Sequence, residues 1–282
     1  MGNQKQIAKG SRKEVELRHR INAAKVSLTN QIGFFRSQFG NVSSDWKEDD
    51  TRVTFADFAV SEKIFAELRS SFPKDDYCTE EANPFDEVQE LNAEYAWVLD
   101  PIDGTNNYYL GIPTCAISLA ILRNGFPVYG LIYDFALDAL LHGGPEHGIM
   151  QDNRRLEPVW QSLDPKRSVA AFHFPLEHED LERLRPWLEH YRVRGFGSAA
   201  LNLSYAAVAK LEGCVDFKVK VWDIAAAYAL ISAAGGVFHF NGESPFPLKA
   251  FQAQMPNLRC WAGSEEFCNF IAELFPAGVS SI

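Results

Sequence analysis

Trp97-Val98-Leu99-Asp100-Pro101-Ile102-Asp103-Gly104-Thr105 decides the reading of this chain. An apolar run that begins at Tyr95 leads directly into two acids, with a proline and an isoleucine between them, and then into a glycine and a threonine. The apolar part has the length and composition of a short buried strand. Pro101 fixes one backbone angle and Gly104 relaxes another, so the turn can aim Asp100 and Asp103 at a common point. Two carboxylates and a backbone carbonyl converging there suit a hard cation such as magnesium. If a helix starts at Gly104 and Thr105, their backbone N–H groups can cradle a phosphate. Read alone, the same residues also describe an ordinary turn in which an aspartate caps a helix and binds nothing.

Spacing excludes two rival motifs. A calcium-binding helix–loop–helix needs acids at alternate positions and a bidentate glutamate at position twelve. Here Ile102 stands at the third position and Gly111 at the twelfth. Haloacid-dehalogenase-type phosphatases place one residue between their two acids, whereas Pro101 and Ile102 both intervene here.

Two further acidic segments flank this stretch. Thr79-Glu80-Glu81 precedes it, and alone would be a solvated charge pair on a loop. Val221-Trp222-Asp223-Ile224-Ala225-Ala226-Ala227 follows it, with Asp223 delivered to the start of a helix whose alanines allow close packing. An aspartate there is also a normal helix cap.

Outward from these segments, residues 11–39 read as an amphipathic helix with Val15, Leu17, Ile21, Ala24, Leu28, Ile32 and Phe35 on one stripe, ended by Gly40 and Asn41. A second helix over about 55–71 carries Phe58, Ile64, Phe65 and Leu68 and stops before Pro73. Thr114–Leu122 and Val128–Phe135 flank Arg123-Asn124-Gly125, a hairpin signal, and Leu137–His142 adds a strand. Residues 143–167, rich in Gly, Pro and charge, suggest a soft boundary between an N-terminal lobe (1–150) and a C-terminal lobe (151–282). Beyond it strands are expected at Ser168–Phe174, Cys214–Val221, Val237–Phe240 and Arg259–Ala262. Helices are expected at 178–190, 198–210, 223–234 and 264–274. Helix and sheet mix in both halves, which predicts an α+β layered sandwich and not a doubly wound sheet.

The formal net charge of -10 argues against nonspecific nucleic-acid binding, which rests on basic surface. No apolar run approaches the roughly 20 residues of a membrane span, and residues 1–20 are too polar for a signal peptide. Five scattered cysteines without a CxxC pair fit reduced thiols in a cytoplasmic protein. His142, His147 and His173 have no motif around them and read as structural or surface residues.

Together the helix pair, the Thr79-Glu80-Glu81 loop, Asp100–Thr105, Trp222–Ala226 and Ala234-Gly235-Gly236 resemble the inositol monophosphatase family over nearly the whole chain. These are lithium-sensitive, magnesium-dependent sugar-phosphate phosphatases. The resemblance implies a layered sandwich that usually dimerises. Glu80, Asp100, Asp103 and Asp223 match its metal-ligand carboxylates, and the carbonyl of Ile102 a further ligand. Thr105 matches the hydroxyl that orients the attacking water, with Asp57 as its acidic partner. Gly104 lies in the same phosphate-facing turn, and Ser198, Ala199 and Ala200 match a helix start that contacts substrate. Two or three magnesium ions are implied. Two would balance the four carboxylates, and a third would leave about +2 to receive a phosphate dianion.

Counted back from Asp223, Asp216 falls where inositol-type members often carry a substrate-contacting glutamate. Asp216–Trp222 alternates with period two, which places Lys218 and Lys220 on one face beside Trp222. A lysine there would favour a substrate with a second anionic group. Asn106-Asn107 looks more inositol-type than nucleotide-type. The expected substrate is a small phosphorylated metabolite, inositol-phosphate-like or a sugar phosphate. Relatives also act on histidinol phosphate, fructose 1,6-bisphosphate and 3'-phosphoadenosine 5'-phosphate. A non-catalytic relative should have lost an acid, and none of the four is missing.

Overall fold

A computed structural model of the protein describes residues 2–46, 52–82, 87–275 and 279–281. Helix α1 (Gly2–Gln38) leads through a two-stranded hairpin, β1 (Ser44–Trp46) and β2 (Arg52–Thr54), into α2 (Phe55–Ser71). Leu17, Ile21, Ala24, Leu28 and Phe35 of α1 are buried as the stripe predicts. Val15 is exposed, because two residues before Leu17 is about 200° around the helix. On α2 the inward stripe is Asp57, Val60, Ile64 and Leu68, at the i, i+3, i+7, i+11 spacing of one face. Of the apolar residues read on this helix, Ile64, Phe65 and Leu68 are buried, while Phe58 is turned outward at 50% exposure beside the buried acid Asp57.

Strands β3 (Asp76–Thr79), β4 (Gln89–Glu90) and β5 (Tyr95–Asp103) follow, then the short helix α3 (Thr105–Leu110). Next come β6 (Ala116–Arg123), β7 (Phe126–Asp134), β8 (Ala139–Gly144), β9 (Gly148–Gln151) and β10 (Arg154–Leu156). They build a seven-stranded sheet in the order β10-β9-β8-β7-β6-β5-β3, in which only β3 and β5 run parallel. The Asn124-Gly125 hairpin forms between β6 and β7 as predicted. β9 and β10 lie inside the segment expected to separate two lobes, and they extend the first sheet to Leu156. Four and three residues long, and with β10 an exposed, charged edge strand, they carry too little apolar alternation to reveal them.

The second half holds β11 (Val169–Phe172), α4 (His178–Leu188), β12 (Arg192–Arg194), α5 (Ala199–Ala207), β13 (Gly213–Val219) and α6 (Val221–Ala233). It continues with β14 (Val237–Asn241), β15 (Ala250–Phe251), β16 (Leu258–Gly263), α7 (Glu265–Leu274) and β17 (Val279–Ser281). The second sheet has the order β12-β11-β13-β16-β14-β17, while β15 pairs with β4.

Three apolar clusters give the layering. α1 and α2 pack on one face of the first sheet through Trp97, Leu99 and Ile117. α5 and α6 fill the space between the two sheets. α4 and α7 cover the outer face of the second sheet around Phe172, Trp187 and Trp261. The result is the expected α+β sandwich, with layers helix, sheet, helix, sheet, helix. The alanines of α6 matter for it: a Cβ on Gly130 of β7 would lie 2.1 Å from the Ala226 carbonyl oxygen, so helix and sheet meet backbone to backbone. All five cysteines are buried free thiols. No described helix is long and apolar enough to cross a membrane.

Candidate active site

The decisive stretch is a strand to its end. β5 runs on through Asp103, and its pairing with β6 slips between Asp100↔Ser118 and Asp103↔Ala116. Three steps along β5 match two along β6, so one extra residue is inserted at Pro101-Ile102. In a regular strand, residues three apart point to opposite faces. The bulge removes that parity and lets Asp100 and Asp103 serve the same side. Proline is tolerated there because a bulge leaves a ladder position unpaired.

Glu80 arrives by register. β3 pairs in parallel with β5, Thr79 opposite Leu99, so the next residue on each strand is Glu80 and Asp100. The Glu80 N–H donates to the Leu99 carbonyl at 3.2 Å. Asp223 comes from the first turn of α6, which starts at Val221, two residues earlier than expected. Its Oδ2 accepts from the Lys220 N–H at 2.7 Å. One oxygen from each of Asp100, Asp103 and Asp223 lies within 4.8 Å of the others. This cluster forms the floor of a cavity of about 420 Å³ that Glu80, Ile102, Gly104 and Thr105 also line.

The electrostatics are those of a cation site. Burial, then the charges of Glu80, Asp103, Asp223 and Asp57, hold the Asp100 carboxyl well above the usual range. Burial pushes Asp103 up to about 6, although the Ser198 hydroxyl and the Ala199 and Ala200 N–H groups pull it down. Asp223 is raised by burial and by Asp103. Three hard oxygen donors so close and so desolvated repel one another unless a cation lies among them, and carboxylate oxygen is the donor magnesium prefers. The residues present fit that ion.

Gly104 has φ +81, and a Cβ there would stand 3.0 Å from both the Gly197 and Thr114 carbonyl oxygens. The helix expected after it is α3, whose first residue is Thr105. The Thr105 hydroxyl has two acceptors at hand, the Ile102 carbonyl at 2.8 Å and Asp57 Oδ1 at 3.3 Å. Asp57 is fully buried, and its other oxygen accepts from the N–H and hydroxyl of Thr54, at 2.7 and 2.6 Å, as part of the α2 cap. Ser198 caps α5 and is buried, with its hydroxyl donating to Asp103. Ala199 and Ala200 donate to Asp103 at 3.2 and 2.9 Å, and Ala199 reaches the cavity wall.

Asp216, Lys218 and Lys220 line the same cavity, so the polar face of β13 looks into the site. That face is not uniformly exposed: Asp216 and Trp222 are buried, and Lys218 alone is open to solvent. Lys218 Nζ lies 3.6 Å from Glu177, and Lys220 Nζ donates to the Met255 carbonyl at 2.5 Å.

Among the cavity residues without a signal in the sequence are His173 and Arg52. His173, expected to be structural or at the surface, lies on the wall with its Nδ1 3.3 Å from Asp216 Oδ2. Arg52 also lines the cavity. Each follows or opens a short strand, and only the fold brings them to the acids.

A layered sandwich with a carboxylate cluster at the end of a bulged strand, faced by a threonine at a helix start, defines a magnesium-dependent phosphoric monoester hydrolase. The sequence profile of the inositol monophosphatase family matches residues 16–271, and the chain belongs to that family. An inositol-1-monophosphatase of Mesorhizobium japonicum is 33% identical over 215 residues, 74% of this chain and 78% of its own. A fructose-1,6-bisphosphatase/inositol-1-monophosphatase of Thermotoga maritima is 31% identical over 68% of this chain and 72% of its own. The crystal structure of extragenic suppressor protein suhB from Bartonella henselae superposes with a TM-score of 0.74. It is 26% identical and covers 94% of this chain and 99% of that one.

Proposed function

We propose that this enzyme hydrolyses the monoester of a small phosphorylated polyol or sugar, and prefers a substrate whose leaving group carries a second anionic group. The observation that carries the reading is the cavity itself, which has acids on its floor and Lys218 and Lys220 on the wall beside Asp216. When bound through Glu80, Asp100, Asp103, Asp223 and the Ile102 carbonyl, magnesium would neutralise phosphoryl charge, acidify a water and stabilise the departing alkoxide.

The chain's own residues supply the rest. Thr105, with Asp57 behind it, orients a water whose oxygen attacks phosphorus in line while the ester P–O bond breaks on the far side. The proton released by the water passes to solvent or to the leaving oxygen, and no enzyme nucleophile is consumed. Lys218, on a flexible stem and open to solvent, meets an anion on the leaving group as a point charge. The fructose-1,6-bisphosphatase/inositol-1-monophosphatase of T. maritima fits a site of this breadth. The buried thiols suit a reduced cytoplasm, and a homodimer is carried over from the family.

Phosphate release should be measured with magnesium over inositol 1-phosphate, fructose 1,6-bisphosphate, histidinol phosphate and 3'-phosphoadenosine 5'-phosphate. Lys218→Ala and Lys220→Ala should be assayed separately. The reading expects a doubly anionic substrate to win and one lysine variant to narrow its lead. Preference for inositol 1-phosphate, with the ratio unchanged in both variants, ends it.

A further inference from the structure

Arg52 opens β2, two residues before the Thr54 cap of α2. Its side chain lies along α3. Nε donates to Asn106 Oδ1 at 3.1 Å, the guanidinium carbon sits 4.1 Å from the centre of the Tyr109 ring, and Nη1 donates to Ser44 Oγ. Asn106 and Tyr109 are three apart on α3 and so share a face. Asn106 is also the neighbour of Thr105, which turns the hydroxyl toward Ile102 and Asp57. Hydrogen bonds to Asn106 and Ser44 and the Tyr109 ring face thus hold the guanidinium beside α3, in the lining of the cavity that Thr105 also lines. Lys218 and Lys220 line it from β13 and the start of α6.

We infer that Arg52 is a phosphoryl-binding residue, its guanidinium donating to non-bridging oxygens of the group under attack. The inference rests on the phosphatase reading above and adds a contact to it. In-line displacement separates the incoming water from the leaving group, so a cation held beside α3 and Thr105 serves the phosphoryl group, and one from β13 serves the leaving group. Arginine suits the first task. Its planar fork matches two phosphoryl oxygens, it stays charged at all working pH, and it stacks on an aromatic ring without losing its donors. A pre-placed donor stabilises charge as it spreads over those oxygens in the transition state. The rival role is mechanical, with Arg52 as a clasp fastening the β1–β2 hairpin to α3 through Ser44 and Asn106.

The two roles separate on binding of inorganic phosphate to the full chain with saturating magnesium, read by calorimetry in wild type, Arg52→Ala and Arg52→Lys. A charge-assisted contact of this kind predicts that Arg52→Ala weakens phosphate roughly 10- to 100-fold and lowers kcat/KM by a similar factor. Arg52→Lys, which keeps the charge without the fork, should recover only part of the loss, and added guanidinium at non-denaturing concentration should partly rescue Arg52→Ala. Phosphate affinity within twofold of wild type in Arg52→Ala, with no guanidinium rescue, overturns the inference. If Arg52→Ala loses thermal stability, Arg52→Lys decides, and undiminished phosphate binding by it overturns the inference equally. A wild type that binds phosphate but releases none from any ester removes the phosphatase reading, while the titration still judges Arg52.

Discussion

Stripping the divalent cation should make the protein less stable at neutral pH than in mild acid. Asp103 is 6% exposed, and its carboxyl is pushed from an ordinary 3.8 to about 6 in the fold. The folded value lies above the unfolded one, so the sign is opposite to that of a salt-bridged aspartate. Below about pH 3.8 both states hold the proton and nothing is lost. Between there and about pH 6 the unfolded chain ionises first, and stability falls at about 1.4 kcal/mol per pH unit. Above about pH 6 the loss levels off near 3 kcal/mol, of which about 2 kcal/mol falls between pH 4.5 and 7. A 282-residue chain has an unfolding entropy of roughly 0.6 kcal/mol/K, so Tm should drop by about 3 °C across that interval from Asp103 alone. Asp100 and Asp223 are displaced in the same direction and enlarge the drop. Calorimetry of chelator-treated protein at pH 4.5 and 7, with Asp103→Asn as the reference that lacks this ionisation, reads the effect. Magnesium should restore more stability at pH 7 than at pH 4.5. A wild-type Tm that rises relative to Asp103→Asn from pH 4.5 to 7, or equal stabilisation by magnesium at both, refutes the electrostatic account of the cluster.

Two further outcomes follow from the same geometry. Asp223→Asn keeps the size of the residue and can still accept the Lys220 N–H, so far-ultraviolet circular dichroism should be unchanged while turnover falls by orders of magnitude; full phosphate release by this variant, or by wild type in excess chelator, removes the metal mechanism. Thr105→Ala deletes the hydroxyl that faces Asp57 and the Ile102 carbonyl and should lower kcat by about 10²–10⁴-fold with little change in KM; a loss confined to KM would place Thr105 in substrate binding instead.

The candidate acids of the site were legible in the sequence because they are marked by residue type and local context. A proline and a glycine bracketing two aspartates after an apolar strand, and an aspartate at the head of an alanine-rich helix, are local features with local causes. The long helices, the central strands and the layered class were readable for the same reason: their hydrophobic periods repeat over many residues. Short elements were not. Asp76-Tyr77-Cys78-Thr79 is only four residues and half polar, so β3 has no pattern, yet its parallel register with β5 is what sets Glu80 beside Asp100. The bulge that brings Asp100 and Asp103 to one side appears only in the pairing of β5 with β6. Phe58 shows the limit from the other direction, since a hydrophobic residue is exposed while helical phase gives the inward place to Asp57. His173 and Arg52 lie far along the chain from the acids they face. The sequence by itself determined which groups could hold a cation and activate water. Only the tertiary structure decided which of them meet, because convergence depends on strand register and layer packing between distant segments, and no one-dimensional period records either.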